Sequence, residues 1–317
     1  MRNLFKITAI FTTIVMFILM IAGSLVTTTG SGLGCGNEWP LCNGQLIPEY
    51  AVATMIEYTH RLITAFAGLL VLAFSIWAWI RYRRNREVKI LAIMSIAFIV
   101  IESLLGASAV IWPQSAEALA LHFGLSLIAF TGVFLLSIFV IQKDRSDHFI
   151  KGAVTGKFRW LAWFTLIFTY CDIYLGAYVR HKGASLACTS FPACYGNTLI
   201  PKLSGTTGIH FAHRFAALVL FVLIIWIMVS AIKQYKETRR DIYYASIIAV
   251  ALTFAQIFSG IFVVMSRLNV FATLSHSAFI TALFATLSYI CVQTLKGKDD
   301  KTKNTCSYEL HVFFGLS

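Results

Sequence analysis

Glu57-Tyr58-Thr59-His60-Arg61 sets a carboxylate, an imidazole and a guanidinium inside an otherwise apolar run from Ala51 to Ile80. Ionisable groups at that depth in a hydrocarbon layer are costly and default to function. Glu57 and His60 are three apart, so on a helix they share a face and can address one bound object. About 153 residues later the chain reads His210-Phe211-Ala212-His213-Arg214, again at the head of a long apolar run. The rest of the chain is ordered by this pair of stretches.

The surroundings are those of a membrane protein. Of 317 residues, 58% are hydrophobic and 13% charged, against roughly 25% charged in a soluble domain, and the mean hydropathy is +0.76. Eight runs are long enough for a hydrocarbon core of about 30 Å, which takes roughly 20 residues to cross. They are 5–26, 53–80, 90–112, 116–141, 159–180, 206–232, 241–265 and 268–295. The expected fold class is therefore an all-α membrane protein with eight transmembrane helices.

The net charge of +12 does not point to nucleic acid, because the basic residues fall in short blocks between apolar runs and report topology. Twenty of the 26 Lys and Arg lie on one side: at the N-terminus (Arg2, Lys6), in 81–89, 142–159 and 233–240, and after residue 295. Both termini are thus expected in the cytoplasm of a multi-pass protein of the cell membrane. Arg2, Lys6 and Ala22-Gly23-Ser24 give the first run the look of a cleaved signal peptide. The repeat described next maps it onto an internal helix, so it is expected to be retained.

Sliding the chain on itself by 152 to 154 residues brings unrelated features into register together, which is the signature of an internal repeat. Gly23-Ser24-Leu25-Val26 meets Gly176-Ala177-Tyr178-Val179, Cys35 and Cys42 meet Cys188 and Cys194, and His60-Arg61 meets His213-Arg214. Gly106 meets Gly260, and His122 meets His276. The expected organisation is two pseudo-twofold related four-helix bundles: 1–141, a cytoplasmic linker 142–158, and 159–295, followed by a cytoplasmic tail 296–317. An even number of crossings makes the halves parallel.

The second, fourth, sixth and eighth helices enter from the outer face, and each carries its histidine six to eight residues in, roughly 10 Å deep at 1.5 Å per residue. His60 with His122, and His213 with His276, are thus at matched depth on parallel helices. Two neutral imidazoles across a bundle core are an axial pair for a haem iron. A lone histidine there could instead be a polar residue satisfied by a neighbouring helix; four in a duplicated frame argue against it. A bare tetrahedral metal site lacks the further Cys or carboxylate ligands. Arg61 and Arg214 follow two of these histidines and are candidate partners for haem propionates, or else cations snorkelling to the outer interface.

The outer loops hold the cysteines on the oxidising side, where disulfides persist, so bridges Cys35–Cys42 and Cys188–Cys194 are expected within loops. Cys171 and Cys291 read as helix packing residues; Cys306 lies in the tail. The halves differ at one telling place, since Glu57 in the first stands where the second has His210. A carboxylate one helical turn from a ligand histidine suits proton movement.

These residues resemble the bacterial haem A synthases of Gram-positive type. The resemblance covers residues 1 to about 295 and rests on Gly30-Ser31-Gly32, Cys35-Gly36, Trp39-Pro40-Leu41-Cys42, Glu57 with His60-Arg61, Leu121-His122-Phe123-Gly124, Gly176 to His181, His213-Arg214 and His276. It implies a membrane haem-dependent oxidoreductase that oxidises the C8 methyl of haem O to the formyl of haem A by successive hydroxylations, supplying a terminal oxidase. It further implies a haem b cofactor on His213 and His276, a substrate haem on His60 and His122, and a catalytic carboxylate at Glu57. Cys35–Cys42 is implied to be redox-active, with a structural staple as the open alternative. Haem O synthase is the expected upstream partner, membrane lipid surrounds the chain, and the electron donor is not readable from residues.

Three positions depart from the family pattern: Glu102 where Gln is more usual, Asp172 opposite the apolar Leu19 of the repeat, and His210 as a candidate ligand beside His213. The repeat frame favours His213. Two other classes remain open at this stage, a dihaem b-type electron-transfer protein and a haem carrier.

Overall fold

A computed structural model describes residues 2–112, 115–142 and 152–296. Most of the expected linker (143–151) and of the tail (297–317, with Cys306) lies outside the described residues. Among the described residues, eight helices are long and apolar enough to cross a membrane. They are α1 (Arg2–Thr29), α2 (Val52–Arg81), α3 (Arg86–Ile111), α4 (Ala116–Gln142), α5 (Gly156–His181), α6 (Gly205–Tyr235), α7 (Arg240–Met265) and α8 (Val270–Thr294). No end departs from its expected run by more than four residues. The differences are mostly polar extensions, as helices continue past the hydrocarbon core into the interface.

Local chemistry sets several starts. Asn85 caps α3 by accepting from the Val88 N–H at 3.1 Å. Asn269 caps α8 by accepting from Phe271 at 2.9 Å, and Thr155 caps α5 through Phe158. Side-chain oxygens of this kind satisfy donors that a helix cannot pair internally.

The packing order repeats. α1 packs on α2 and α4, α2 on α3, and α3 on α4; α5 packs on α6 and α8, α6 on α7, and α7 on α8. Between the halves, α1 meets α8, α4 meets α5, and α4 meets α8. Exchanging the halves maps that set onto itself, which is compatible with the expected pseudo-twofold. The core runs along these inner helices: Leu127, Val133 and Leu136 of α4 and Leu283, Leu287 and Ile290 of α8 are almost wholly buried. Leu69, Ile80, Trp160, Phe215 and Phe258 are exposed on the perimeter, where lipid would cover them.

Polar bonds stitch the inner helices. Ser24 of α1 bonds Ser277 of α8 at 2.7 Å, and Thr13 of α1 donates to Ser137 of α4 at 2.8 Å. Arg180, near the end of α5, donates to Ser24 O at 3.1 Å, Ser24 Oγ at 3.2 Å and the Thr28 hydroxyl. At the other end, the fully buried Arg239 pairs with Asp241 and donates to the carbonyls of Gln293 and Lys296. It therefore fastens the start of α7 to the end of α8.

Candidate functional site

A cavity of about 1810 Å³ extends through both halves. His60 and His122 face it from the first half, His213 and His276 from the second. Each imidazole lies against a glycine of the preceding helix. A Cβ on Gly23 of α1 would stand 3.3 Å from His60 Cε1, and one on Gly106 of α3 would stand 3.8 Å from His122 Cε1. In the second half, a Cβ on Gly176 of α5 would come within 2.8 Å of His213 Cε1, and one on Gly260 of α7 within 3.0 Å of His276 Cε1. Real side-chain carbons do not sit at 2.8 Å, so Gly176 admits the His213 ring only because it lacks one. All four glycines match pairwise in the repeat, where their role is invisible without the contact.

The rings differ in what holds them. His213 Nδ1 is 2.8 Å from Asp172 Oδ1 of α5. His122 Nδ1 is 3.1 Å from Glu102 Oε2 of α3, though out of line for a hydrogen bond. His276 Nδ1 meets the Ser259 hydroxyl at 2.9 Å, and its Nε2 meets the Gln256 amide at 3.1 Å. His60 Nδ1 is buried with no partner among the described residues.

Glu57 is 3% exposed and has both carboxylate oxygens engaged. Oε1 accepts from Arg61 Nη2 at 2.6 Å and Nε at 3.1 Å, and Oε2 accepts the Cys35 N–H at 2.9 Å. Arg61 Nη1 donates to the carbonyls of Glu38 and Leu41, both at 2.9 Å. Helix α2 is thereby locked to the loop 30–51, inside which Cys35 and Cys42 are bonded.

The second half repeats the lock with an imidazole in place of the carboxylate. Arg214 Nε donates to His210 Nε2 at 3.1 Å, Nη1 to Ser190 O at 2.8 Å, and Nη2 to Cys188 O at 3.2 Å. His210 Nδ1 lies 3.0 Å from Ala184 O and 3.3 Å from the Cys188 N–H, which points at it as the Cys35 N–H points at Glu57 in the first half. The loop 182–204 is bridged by Cys188–Cys194. Both expected disulfides are therefore present.

Every sequence-derived site residue except the cysteines lines the cavity, but not all in the expected manner. Arg61 spends its donors on Glu57 and two loop carbonyls, and Arg214 on His210 and loop carbonyls, so the loop clamp takes precedence over the propionate reading. His210 has both ring nitrogens on protein partners, and so has His276, whose Nε2 would have to leave the Gln256 amide to meet a metal. Cys171 is exposed on α5 rather than packed, while Cys291 is buried in α8. Arg180, which the sequence offers only as part of the stretch Gly176 to His181 and with no role of its own, also lines the cavity.

The donor set fits haem better than a bare ion. Among the described residues no three His, Cys, Asp or Glu side chains converge as a metal-ion site. Two histidines suffice only for a metal whose equatorial positions are already filled, as in a porphyrin. The glycine cradles agree with rings held for an axial role.

A family model described as COX15-CtaA, cytochrome oxidase assembly protein, matches residues 6–53 and 49–288. A protein named heme A synthase from Geobacillus kaustophilus is 43% identical over 288 residues, covering 90% of each chain. Another of that name from Bacillus licheniformis is 44% identical over 294 residues, covering 91% of this chain and 95% of its own. A third, from Bacillus pumilus, is 43% identical over 295 residues.

Proposed function

The chain belongs to the COX15-CtaA family of cytochrome oxidase assembly proteins, and from that premise we infer that it is a haem A synthase. It is a membrane-embedded oxidoreductase that acts on haem O as substrate. The observation that carries the reading onto this chain is the duplicated pair of histidines, each cradled on a glycine and turned into one cavity between the halves.

The finer assignment gives the halves different jobs. The half 159–295 holds a resident haem b through His213 and His276, and the half 1–141 holds the substrate haem through His60 and His122. Two features support the first pairing: the tight Gly176 and Gly260 cradles and the Asp172 bond to His213, which leaves its Nε2 for the iron. The bound haem b supplies one-electron redox chemistry beside the substrate pocket. The substrate methyl becomes the formyl by two hydroxylations and loss of water from the resulting geminal diol.

Glu57 is the residue that sets the substrate half apart. Its Oε1 is tied by two charge-assisted bonds from Arg61. Its Oε2 accepts a single backbone N–H and keeps a further acceptor site, so Oε2 is the atom that can take a proton at the pocket wall. The bond from Cys35 to that same oxygen supports a coupling between the loop disulfide and the carboxylate. Both termini and the linker are cytoplasmic and the disulfide loops external, on the strength of the one-sided basic residues. The protein works in the cell membrane downstream of a haem O synthase.

Expression in cells that lack their own haem A synthase tests the function. Acid-acetone pigment from the membranes should contain haem A; accumulation of haem O alone would refute the reading.

A further inference from the structure

Resting on the haem reading above, we propose that Glu102 and Asp172 are positioning residues, one in each pocket, that hold the Nδ1 edge of His122 and of His213. Each pocket then has one axial histidine backed by a carboxylate and one without such backing.

The four rings divide cleanly. His213 has Asp172 at 2.8 Å and His122 has Glu102 at 3.1 Å. His276 meets only the neutral Ser259 and Gln256, and His60 Nδ1 has no partner among the described residues. Asp172 and Glu102 are each 7% exposed, and among the described residues neither forms an ion pair with Lys or Arg. A buried carboxylate without a cationic or hydrogen-bonding partner is costly. The histidine edge is what answers that cost for Asp172. Glu102 shares Oε2 between His122 and the Ser126 hydroxyl, and its Oε1 is unpartnered.

The repeat separates the contact from its charge. The contact of Glu102 with His122 recurs as that of Gln256 with His276, but without the carboxylate. Asp172 matches Leu19, so its contact with His213 has no counterpart in the first half. In the first half the carboxylate reaches from α3 to the histidine of α4; in the second it reaches from α5 to the histidine of α6. Two unrelated positions arrive at the same arrangement, one carboxylate-backed histidine per pocket.

The chemistry follows from the ring. With Nε2 on iron, Nδ1 carries the proton and can only donate. A carboxylate acceptor fixes that tautomer and the ring's orientation, and it makes the ligand more basic. A more basic ligand stabilises ferric over ferrous iron and lowers the potential of the haem it serves. The His122 ring must turn slightly to aim its N–H at Glu102, because the present pair is out of line.

The test uses the full-length purified protein with its native haem, and with haem O added for the first pocket. D172N should retain haem b with a low-spin ferric EPR signal. Its midpoint potential should rise by at least a tenfold change in the ferric-to-ferrous ratio, about 59 mV for one electron, with the haem O potential unmoved. E102Q should shift the haem O potential upward and leave haem b alone. D172E should return the cofactor potential toward that of the unaltered protein. D172N and E102Q at full occupancy with unchanged potentials and EPR signals would overturn the proposal. Should D172N lose its haem, D172E decides: recovery of haem and potential supports the role, and failure to recover either refutes it. Failure of the underlying haem reading has a separate signature, since His213→Ala would then keep full haem content and a six-coordinate spectrum.

Discussion

Gly176→Ala probes the cavity at its tightest contact. The added Cβ would lie 2.8 Å from His213 Cε1 and 3.2 and 3.3 Å from its two ring nitrogens. The neighbouring backbone belongs to a packed helix, so the ring must yield, and in yielding it leaves Asp172. Loss of a hydrogen bond to a charged group costs about 1.5–3 kcal/mol, and an off-rotamer side chain adds about 0.5–1.5 kcal/mol. Together these weaken haem b retention roughly 30- to 1,500-fold, at about 1.4 kcal/mol per decade. The other glycines grade the effect, Gly260 on haem b and Gly23 and Gly106 on the substrate haem: Gly260 at 3.0 Å should be nearly as severe, Gly23 at 3.3 Å milder, and Gly106 at 3.8 Å close to neutral. Haem per polypeptide, with the six-coordinate absorption spectrum, reads the series after purification. The reasoning fails if Gly176→Ala and Gly106→Ala retain haem equally and share one spectrum.

Other perturbations separate the two halves. Glu57→Gln keeps size and hydrogen-bonding capacity but removes the proton-accepting charge; haem b should stay bound while haem A formation collapses, as pigment separation would record. Arg214→Ala removes the donors to Ser190, Cys188 and His210, so the loop 182–204 should exchange its amide hydrogens faster and thermal stability should fall by about 1.5–3 kcal/mol or more; an unchanged exchange profile would show the clamp to be idle. Cys42→Ala should slow turnover with haem b content intact if the first bridge is redox-active, and leave turnover alone if it is only a staple. Impermeant thiol reagents, after reduction, should reach Cys35 in intact cells, whereas labelling confined to inverted vesicles would reverse the topology.

The helices were legible because a hydrocarbon core imposes length and apolarity on each crossing, and all eight runs lie where the sequence places them. The histidines were legible through the repeat, and the structure brings all four to the wall of one cavity. The glycines were only half legible. Gly23, Gly106, Gly176 and Gly260 align in the repeat, but no periodicity says that each makes room for an imidazole one helix away. Glu102 and Asp172 stood out as charges in apolar runs, yet their partners lie 20 and 41 residues on, across a helix-helix contact that spacing cannot specify. Arg61 and Arg214 were read toward propionates because the sequence shows the charge beside a ligand. It does not show the loop carbonyls that fold back over the helix start and share the donors with Glu57 and His210. Arg180 was opaque for a related reason, since its acceptors belong to α1 of the other half.

The central claim is that two look-alike pockets hold different haems for different ends, and reversed-phase separation of the pigments bound to purified His60→Ala and His276→Ala proteins tests it most directly. His276→Ala should lose haem b, and His60→Ala should keep haem b and lose haem O and haem A. Loss of the same pigment from both variants would contradict the account.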